Sequence, residues 1–175
     1  MLAGGRGSRM GAECPKQFLE IGGKAILRVT IEKFISADPS TKVIVVLPKG
    51  HISTWKAYCR DNNFFVEQTL VEGGMTRFHS VKNGLAKVPD GALVAIHDGV
   101  RPLLSPSLIN RLFALGGKYP AVVPVFPCVD TIKVLGEPDG DGIRHEKEGA
   151  KADRSELFCG QPPQIFQSET IRAAY

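Results

Sequence analysis

No C-x-x-C pair, no H-E-x-x-H spacing and no run of about 20 apolar residues occurs in this sequence. The four cysteines, Cys14, Cys59, Cys128 and Cys159, lie far apart, and so do the four histidines. That scatter argues against a disulfide framework and against a zinc centre, and it fits reduced thiols in a cytoplasmic protein. Without a long apolar run a membrane-spanning helix is excluded, and no basic-then-apolar signal peptide is visible. Charge of one sign is also in short supply: 22 Lys and Arg stand against 18 Asp and Glu, a net of +4. So small an excess favours an anionic ligand but is too scattered for a nucleic-acid surface.

What is present suits one ordinary domain. A hydrophobic fraction of 43% across 175 residues is enough for a core and argues against wholesale disorder. Ile26, Leu27, Ile31, Phe34 and Ile35 recur at spacings of three and four, predicting a helix over 25–36. Val43 to Leu47 is a short apolar run closed by Pro48, the pattern of a buried parallel strand. Further strands are predicted over 64–71, 92–96 and 121–125, and further helices over 52–62, 77–87 and 107–115. The alternation predicts an α/β fold, a doubly wound and mostly parallel sheet of Rossmann-like type. Residues 130–154 break the pattern with Gly136, Gly140, Gly142 and Gly149 among many charges. Composition alone allows either a protruding β-hairpin arm or a plain surface loop there.

The chemistry concentrates near the start, in Leu2-Ala3-Gly4-Gly5-Arg6-Gly7-Ser8-Arg9-Met10. Glycines let the backbone approach a bound group, and exposed N–H groups at a helix N-terminus cradle phosphate. The P-loop pattern is absent, and Met10 stands where the dinucleotide fingerprint needs a glycine. Arg9 follows these glycines and Lys16 comes seven residues later, within Pro15-Lys16-Gln17-Phe18. Fixed cations beside a departing pyrophosphate stabilise the transition state more than the ground state. Such a turn normally follows a buried strand, so a first strand is expected to be missing ahead of it.

The pattern A-G-G-x-G-x-R-M followed by P-K-Q-F-L resembles the cytidylyltransferases that act on 2-C-methyl-D-erythritol 4-phosphate in non-mevalonate isoprenoid synthesis. The resemblance runs on through Gly73-Gly74-Met75-Thr76-Arg77-Phe78-His79-Ser80-Val81, His97-Asp98-Gly99-Val100-Arg101-Pro102, Val129-Asp130-Thr131-Ile132-Lys133, Asp153-Arg154 and Gly160-Gln161-Pro162-Pro163-Gln164-Ile165-Phe166. It implies transfer of CMP from CTP to the acceptor, with pyrophosphate released. The match assigns Arg9 and Lys16 to catalysis, and Ala3, Gly4, Gly5, Gly7, Gly74, Ser80 and Gly99 to the nucleotide. Asp98, Arg101, Thr131 and Arg154 fall to the acceptor, a small polyol phosphate. Mg²⁺, or another divalent cation, would be held mainly by the CTP phosphates, with no dedicated protein ligands. A homodimer is implied, with Thr131 and Arg154 acting in trans on an arm over about 127–156. The expectation is one nucleotidyltransferase domain over 1–175, short of its first strand and of the C-terminal part that carries a late family lysine.

Pro162 stands where the family has a threonine, which removes a hydroxyl from the acceptor side. Ribitol 5-phosphate cytidylyltransferases share the loop, the lysine and the arm, but the stretches Glu13–Lys16 and Thr76–Asn83 look more like the methylerythritol enzymes. Sugar-1-phosphate nucleotidylyltransferases using UTP or GTP share the loop without the 98–102 element. A non-catalytic nucleotide-binding protein is the remaining alternative. His79 and His97 read as loop or packing residues rather than acid–base groups.

Overall fold

The computed structural model describes residues 1–4, 14–150 and 152–175. The chain divides into two compact units, Met1–Val122 with Pro162–Tyr175, and Val123–Gln161.

In the first unit a small hairpin, β1 (Glu20–Ile21) and β2 (Lys24–Ala25), leads into helix α1 (Ile26–Ala37). The hairpin turns through Gly22 and Gly23, both at positive φ, which a side chain would disfavour. Strand β3 (Val43–Leu47) is buried along almost its whole length, as expected of a strand covered on both faces. Helix α2 (Lys49–Asp61) follows, then β4 (Gln68–Glu72), which pairs parallel with β3. Helix α3 (Arg77–Leu85), β5 (Leu93–Ile96), helix α4 (Pro106–Gly116) and β6 (Ala121–Val122) complete the alternation. Ser105 caps α4 by accepting from the Leu108 N–H, and Pro106 takes the first turn, where no N–H is needed.

Leu2 joins the sheet in two halves. It forms parallel bridges with Val46 on one side and Asp98 on the other. Its N–H donates to the His97 carbonyl at 2.8 Å, and the Ala3 N–H donates to the Val46 carbonyl at 2.9 Å. The sheet therefore runs β4, β3, Leu2, β5, then a strand over Gln164–Gln167 and finally β6. That penultimate strand is antiparallel to both of its neighbours, so the sheet is mostly parallel. The α/β expectation holds. Met1–Ala3 thus lies between β3 and the end of β5.

Trp55 anchors the main core. It is fully buried, its ring stacks on Tyr58 at 5.2 Å, and its Nε1–H donates to Gln68 Oε1 at 2.8 Å. Around it pack Leu27, Ile31, Val45, Leu47 and Phe64. Truncating so large a buried ring costs about 3–5 kcal/mol. The predicted strand over 64–71 begins only at Gln68, because Phe64 packs edge-on against Trp55 at 6.0 Å instead of extending the ladder. The predicted strand over 121–125 stops at Val122, and the chain there passes into the second unit. A smaller cluster of Val81, Leu85, Ile96 and Ile171 holds α3 against β5.

The second unit contains β7 (Val125–Pro127), β8 (Leu135–Pro138), β9 (Arg144–Glu146) and β10 (Phe158–Gly160). β7 pairs with β10, and β8 with β9, both antiparallel. Within 130–154, β8 and β9 form a hairpin. Its turn is organised by Asp139, whose Oδ1 accepts from the N–H groups of Asp141 and Ile143, and by Gly142 at φ +78. Val129, Ile143 and Phe158 are exposed apolar side chains on this unit. The last strand, β11 (Gln164–Gln167), and helix α5 (Ser168–Ala173) belong to the first unit.

Candidate active site

The carboxyl ends of the parallel elements converge on one cleft edge. Ala3 leads into Gly4, β4 into Gly73-Gly74, and β5 into His97-Asp98-Gly99. Crevices beyond the carboxyl ends of strands are where open α/β sheets bind ligands. A separate cavity of about 530 Å³, lined largely by apolar side chains with Asp38, Lys42 and Lys87 among them, includes none of Gly4, Gly74, Asp98 and Gly99 and is not this site.

Small residues hold the cleft tight. The Gly99 N–H donates to the Leu2 carbonyl at 2.8 Å, and a Cβ on Gly99 would stand 2.8 Å from Leu27 Cδ1. Thr30, fully buried on α1, places its hydroxyl 3.0 Å from the Gly99 carbonyl and 2.9 Å from that of Ile26. Gly74 is tighter still, since an added Cβ would meet His79 Cβ at 2.3 Å. Its N–H donates to Ser80 Oγ at 3.1 Å, and that hydroxyl donates in turn to the Thr76 carbonyl at 3.0 Å. Thr76 caps α3 by accepting from the His79 N–H, and its hydroxyl lies 2.8 Å from His79 Nδ1. Gly4 faces the same hydroxyl, for a Cβ there would lie 4.0 Å from Ser80 Oγ.

Charge enters through Asp98. Its Oδ2 accepts from Arg101 Nε at 3.1 Å, and its Oδ1 accepts from Arg77 Nη2 at 3.4 Å. His97 lies beneath, fully buried, with Nε2 3.0 Å from the Arg101 carbonyl oxygen. That contact assigns the proton to Nε2. Nδ1 has no partner among the described residues. Burial drives the His97 pKa down to about 4, so the imidazole is neutral at physiological pH. It packs against Phe34 at 5.3 Å, consistent with the packing role read from the sequence.

Lys16 sits half-buried on the single-turn helix Lys16–Phe18. Phe18 pins that turn by stacking on Trp55 at 6.2 Å and meeting His51 edge-on at 5.7 Å. Gln17 is buried, and its Nε2 finds no partner among the described residues.

The structure thus brings together Ala3, Gly4, Gly74, Ser80, Asp98, Gly99 and Arg101 in the first unit. Arg9, Gly5 and Gly7 lie outside the described residues. Thr131 and Arg154 belong to the second unit, where both are exposed and Arg154 Nη1 donates to the Val129 carbonyl at 3.3 Å. Sequence reasoning missed Thr30, whose only signal is a hydroxyl on an apolar helix face. It also missed Arg77 as a site residue. Among the described residues no three His, Cys, Asp or Glu side chains gather as a metal cluster. The described side chains at the cleft are the Ser80 hydroxyl, the Asp98 carboxylate and the guanidiniums of Arg77 and Arg101, which suit a metal–phosphate complex better than a bare cation.

The sequence profile of the 2-C-methyl-D-erythritol 4-phosphate cytidylyltransferase family matches residues 1–175. An enzyme of that name from Bacteroides thetaiotaomicron is 41% identical over 175 residues, covering all of this chain and 76% of its own length. One from Porphyromonas gingivalis is 42% identical, with all of this chain and 74% of the relative covered. Among solved structures, the enzyme of that name from Thermus thermophilus superposes with a TM-score of 0.69 at 30% identity, covering 99% of this chain and 72% of its own. The 4-diphosphocytidyl-2C-methyl-D-erythritol synthase of Anaerococcus prevotii superposes with a TM-score of 0.74 at 25% identity, covering 98% and 71%. No helix among the described residues is long and apolar enough to cross a membrane. The chain belongs to the 2-C-methyl-D-erythritol 4-phosphate cytidylyltransferase family.

Proposed function

We propose that this protein transfers CMP from CTP to 2-C-methyl-D-erythritol 4-phosphate, forming the CDP-linked product and pyrophosphate. The observation that carries the reading is the meeting of Gly4, Gly74, Ser80 and Gly99 beside the Asp98–Arg101 pair. A backbone cradle without side chains admits a flat base and a triphosphate, and the charged pair next to it suits a polyol phosphate. Family membership supports the same reading.

In the reaction an oxygen of the acceptor phosphate attacks the α-phosphorus of CTP in line. The new O–P bond forms as the bond to the β-phosphate bridging oxygen breaks, and pyrophosphate carries the electron pair away. A phosphate monoester is already anionic near neutral pH, so no general base is required. The protein's contribution is positioning and charge stabilisation. On this reading Arg9 and Lys16 offset the charge that grows on the leaving phosphates in the transition state. Gly74 and Ser80 hold cytosine and ribose, with Gly99 close to the nucleotide. A divalent cation, Mg²⁺ for preference, would be held mainly by the CTP phosphates and would offset part of their charge.

Asp98 accepts from acceptor hydroxyls, and Arg101 and Arg154 grip the acceptor phosphate, a pairing suited to the guanidinium fork. Thr131 and Arg154 act from the arm of a second copy in a homodimer. The exposed apolar side chains Val129, Ile143 and Phe158 of that unit support such a contact. Pyrophosphate release measured with CTP, magnesium and each acceptor tests the reading. Turnover with ribitol 5-phosphate and none with the methylerythritol acceptor would reverse the substrate assignment.

A further inference from the structure

Arg77 occupies an electrostatically poor position. It is the first residue of α3, where the helix dipole repels cations, and the first turn holds no acidic residue of its own. The compensating charge comes from elsewhere in the sequence. Asp98, on the loop after β5, extends Oδ1 to within 3.4 Å of Arg77 Nη2 while its Oδ2 is held by Arg101 at 3.1 Å. Asp98 is 27% exposed against 59% for Arg77, so the carboxylate is the more enclosed partner of the pair.

The two cations belong to different halves of the cleft. Arg77 follows Gly73-Gly74 and Thr76 directly and sits one helical turn from Ser80, whereas Arg101 shares the loop of Asp98. We propose that Arg77 is a positioning residue that couples the nucleotide loop to the acceptor loop through Asp98. This rests on reading Asp98 as an acceptor-side residue and Gly74 and Ser80 as nucleotide-side residues.

Nucleotide seated on Gly74 and Ser80 fixes the start of α3, and with it the guanidinium of Arg77. That guanidinium then holds the Asp98 carboxylate in one orientation, with its remaining lone pairs presented to acceptor hydroxyls. Without it, Arg101 alone sets the carboxylate, and the rotation about Asp98 is less restricted. Linkage requires the effect to be mutual: acceptor bound at Asp98 also tightens nucleotide.

The test measures CTP affinity alone, acceptor KM, and the factor by which acceptor tightens CTP, in the wild type, Arg77→Ala, Arg77→Lys, Asp98→Asn and the Arg77→Ala/Asp98→Asn pair. Loss of a charge-assisted hydrogen bond predicts an acceptor KM about tenfold higher in Arg77→Ala, a coupling factor near one, and CTP affinity alone changed by less than about threefold. Arg77→Lys restores part of the coupling, and the double variant is no worse in acceptor KM than Asp98→Asn. If Arg77→Ala weakens CTP alone as much as it raises acceptor KM, or if the two substitutions add, the coupling role is overturned. Asp98→Asn raising acceptor KM while Arg77→Ala leaves it unchanged defeats this inference only. Asp98→Asn without effect on acceptor KM defeats the acceptor-site reading, and this inference with it.

Discussion

Ser80 Oγ lies 3.1 Å from the Gly74 amide nitrogen and 3.0 Å from the Thr76 carbonyl oxygen, so one hydroxyl both accepts and donates across the turn into α3. Removing it leaves the Gly74 N–H without its partner at a tight loop, while the Thr76 carbonyl keeps the Ser80 N–H at 3.0 Å. Ser80→Ala is expected to destabilise the fold by about 1–2 kcal/mol, the usual range for such a loss. Gly74→Ala goes further, because its Cβ would stand 2.3 Å from His79 Cβ and the loop must move. CTP affinity of Gly74→Ala, read by isothermal titration, should fall at least about tenfold, since base and ribose lose their cradle. Unchanged affinity in Gly74→Ala would remove this loop from the nucleotide site.

Lys16 is expected to act on the transition state rather than on bound CTP. Lys16→Ala should lower kcat by about a hundredfold or more while CTP affinity falls less than about tenfold, the signature of an interaction that strengthens as the pyrophosphate departs. Single-turnover kinetics together with equilibrium binding separate the two. Equal losses in both would assign Lys16 to ground-state binding.

His97 ties stability to pH. Burial holds its folded-state pKa at about 4, against about 6.5 for a free imidazole, so unfolding takes up a proton between those values. Its contribution is complete above about pH 6.5 and is lost as pH falls towards 4, amounting to about 3 kcal/mol. Tm measured from pH 7 to 4 should therefore drop more steeply for the wild type than for His97→Asn, whatever the absolute stability of the variant. Parallel Tm curves would show that His97 is not the group responsible.

An arm that works in trans has a stoichiometric consequence. Lys16→Ala and Arg154→Ala homodimers should each be nearly inactive. Mixed by co-expression, they form heterodimers in which one of two sites has both residues intact, restoring about a quarter of wild-type activity by random pairing. No recovery on mixing would place Arg154 in its own subunit's site.

Much of this architecture is legible in the residues. The unbroken apolar run Val43–Leu47 announces a strand covered on both faces, and the 3,4-spacing of Leu27, Ile31 and Phe34 announces α1. Gly74, Ser80, Asp98 and Gly99 stand out because motifs preserve their residue types in order, and the fold gathers them at one edge of the sheet. What escapes is set by tertiary contact. Phe64 looks like the start of a strand, yet a ring beside Trp55 gains more from burial than from a ladder position. The break after Val122 is hidden because Val123 and Val125 continue the apolar composition while the chain leaves the sheet. Thr30 and Arg77 act through partners 69 and 21 residues away, and no local spacing encodes such pairings.

The central claim is that this cleft joins CMP to a polyol phosphate. Its most direct test is pyrophosphate release from CTP and Mg²⁺, with 2-C-methyl-D-erythritol 4-phosphate and ribitol 5-phosphate as parallel acceptors. Stoichiometric pyrophosphate and CDP-linked product with the methylerythritol acceptor, and little with ribitol 5-phosphate, is the expected result. CTP binding without pyrophosphate release from either acceptor would contradict it.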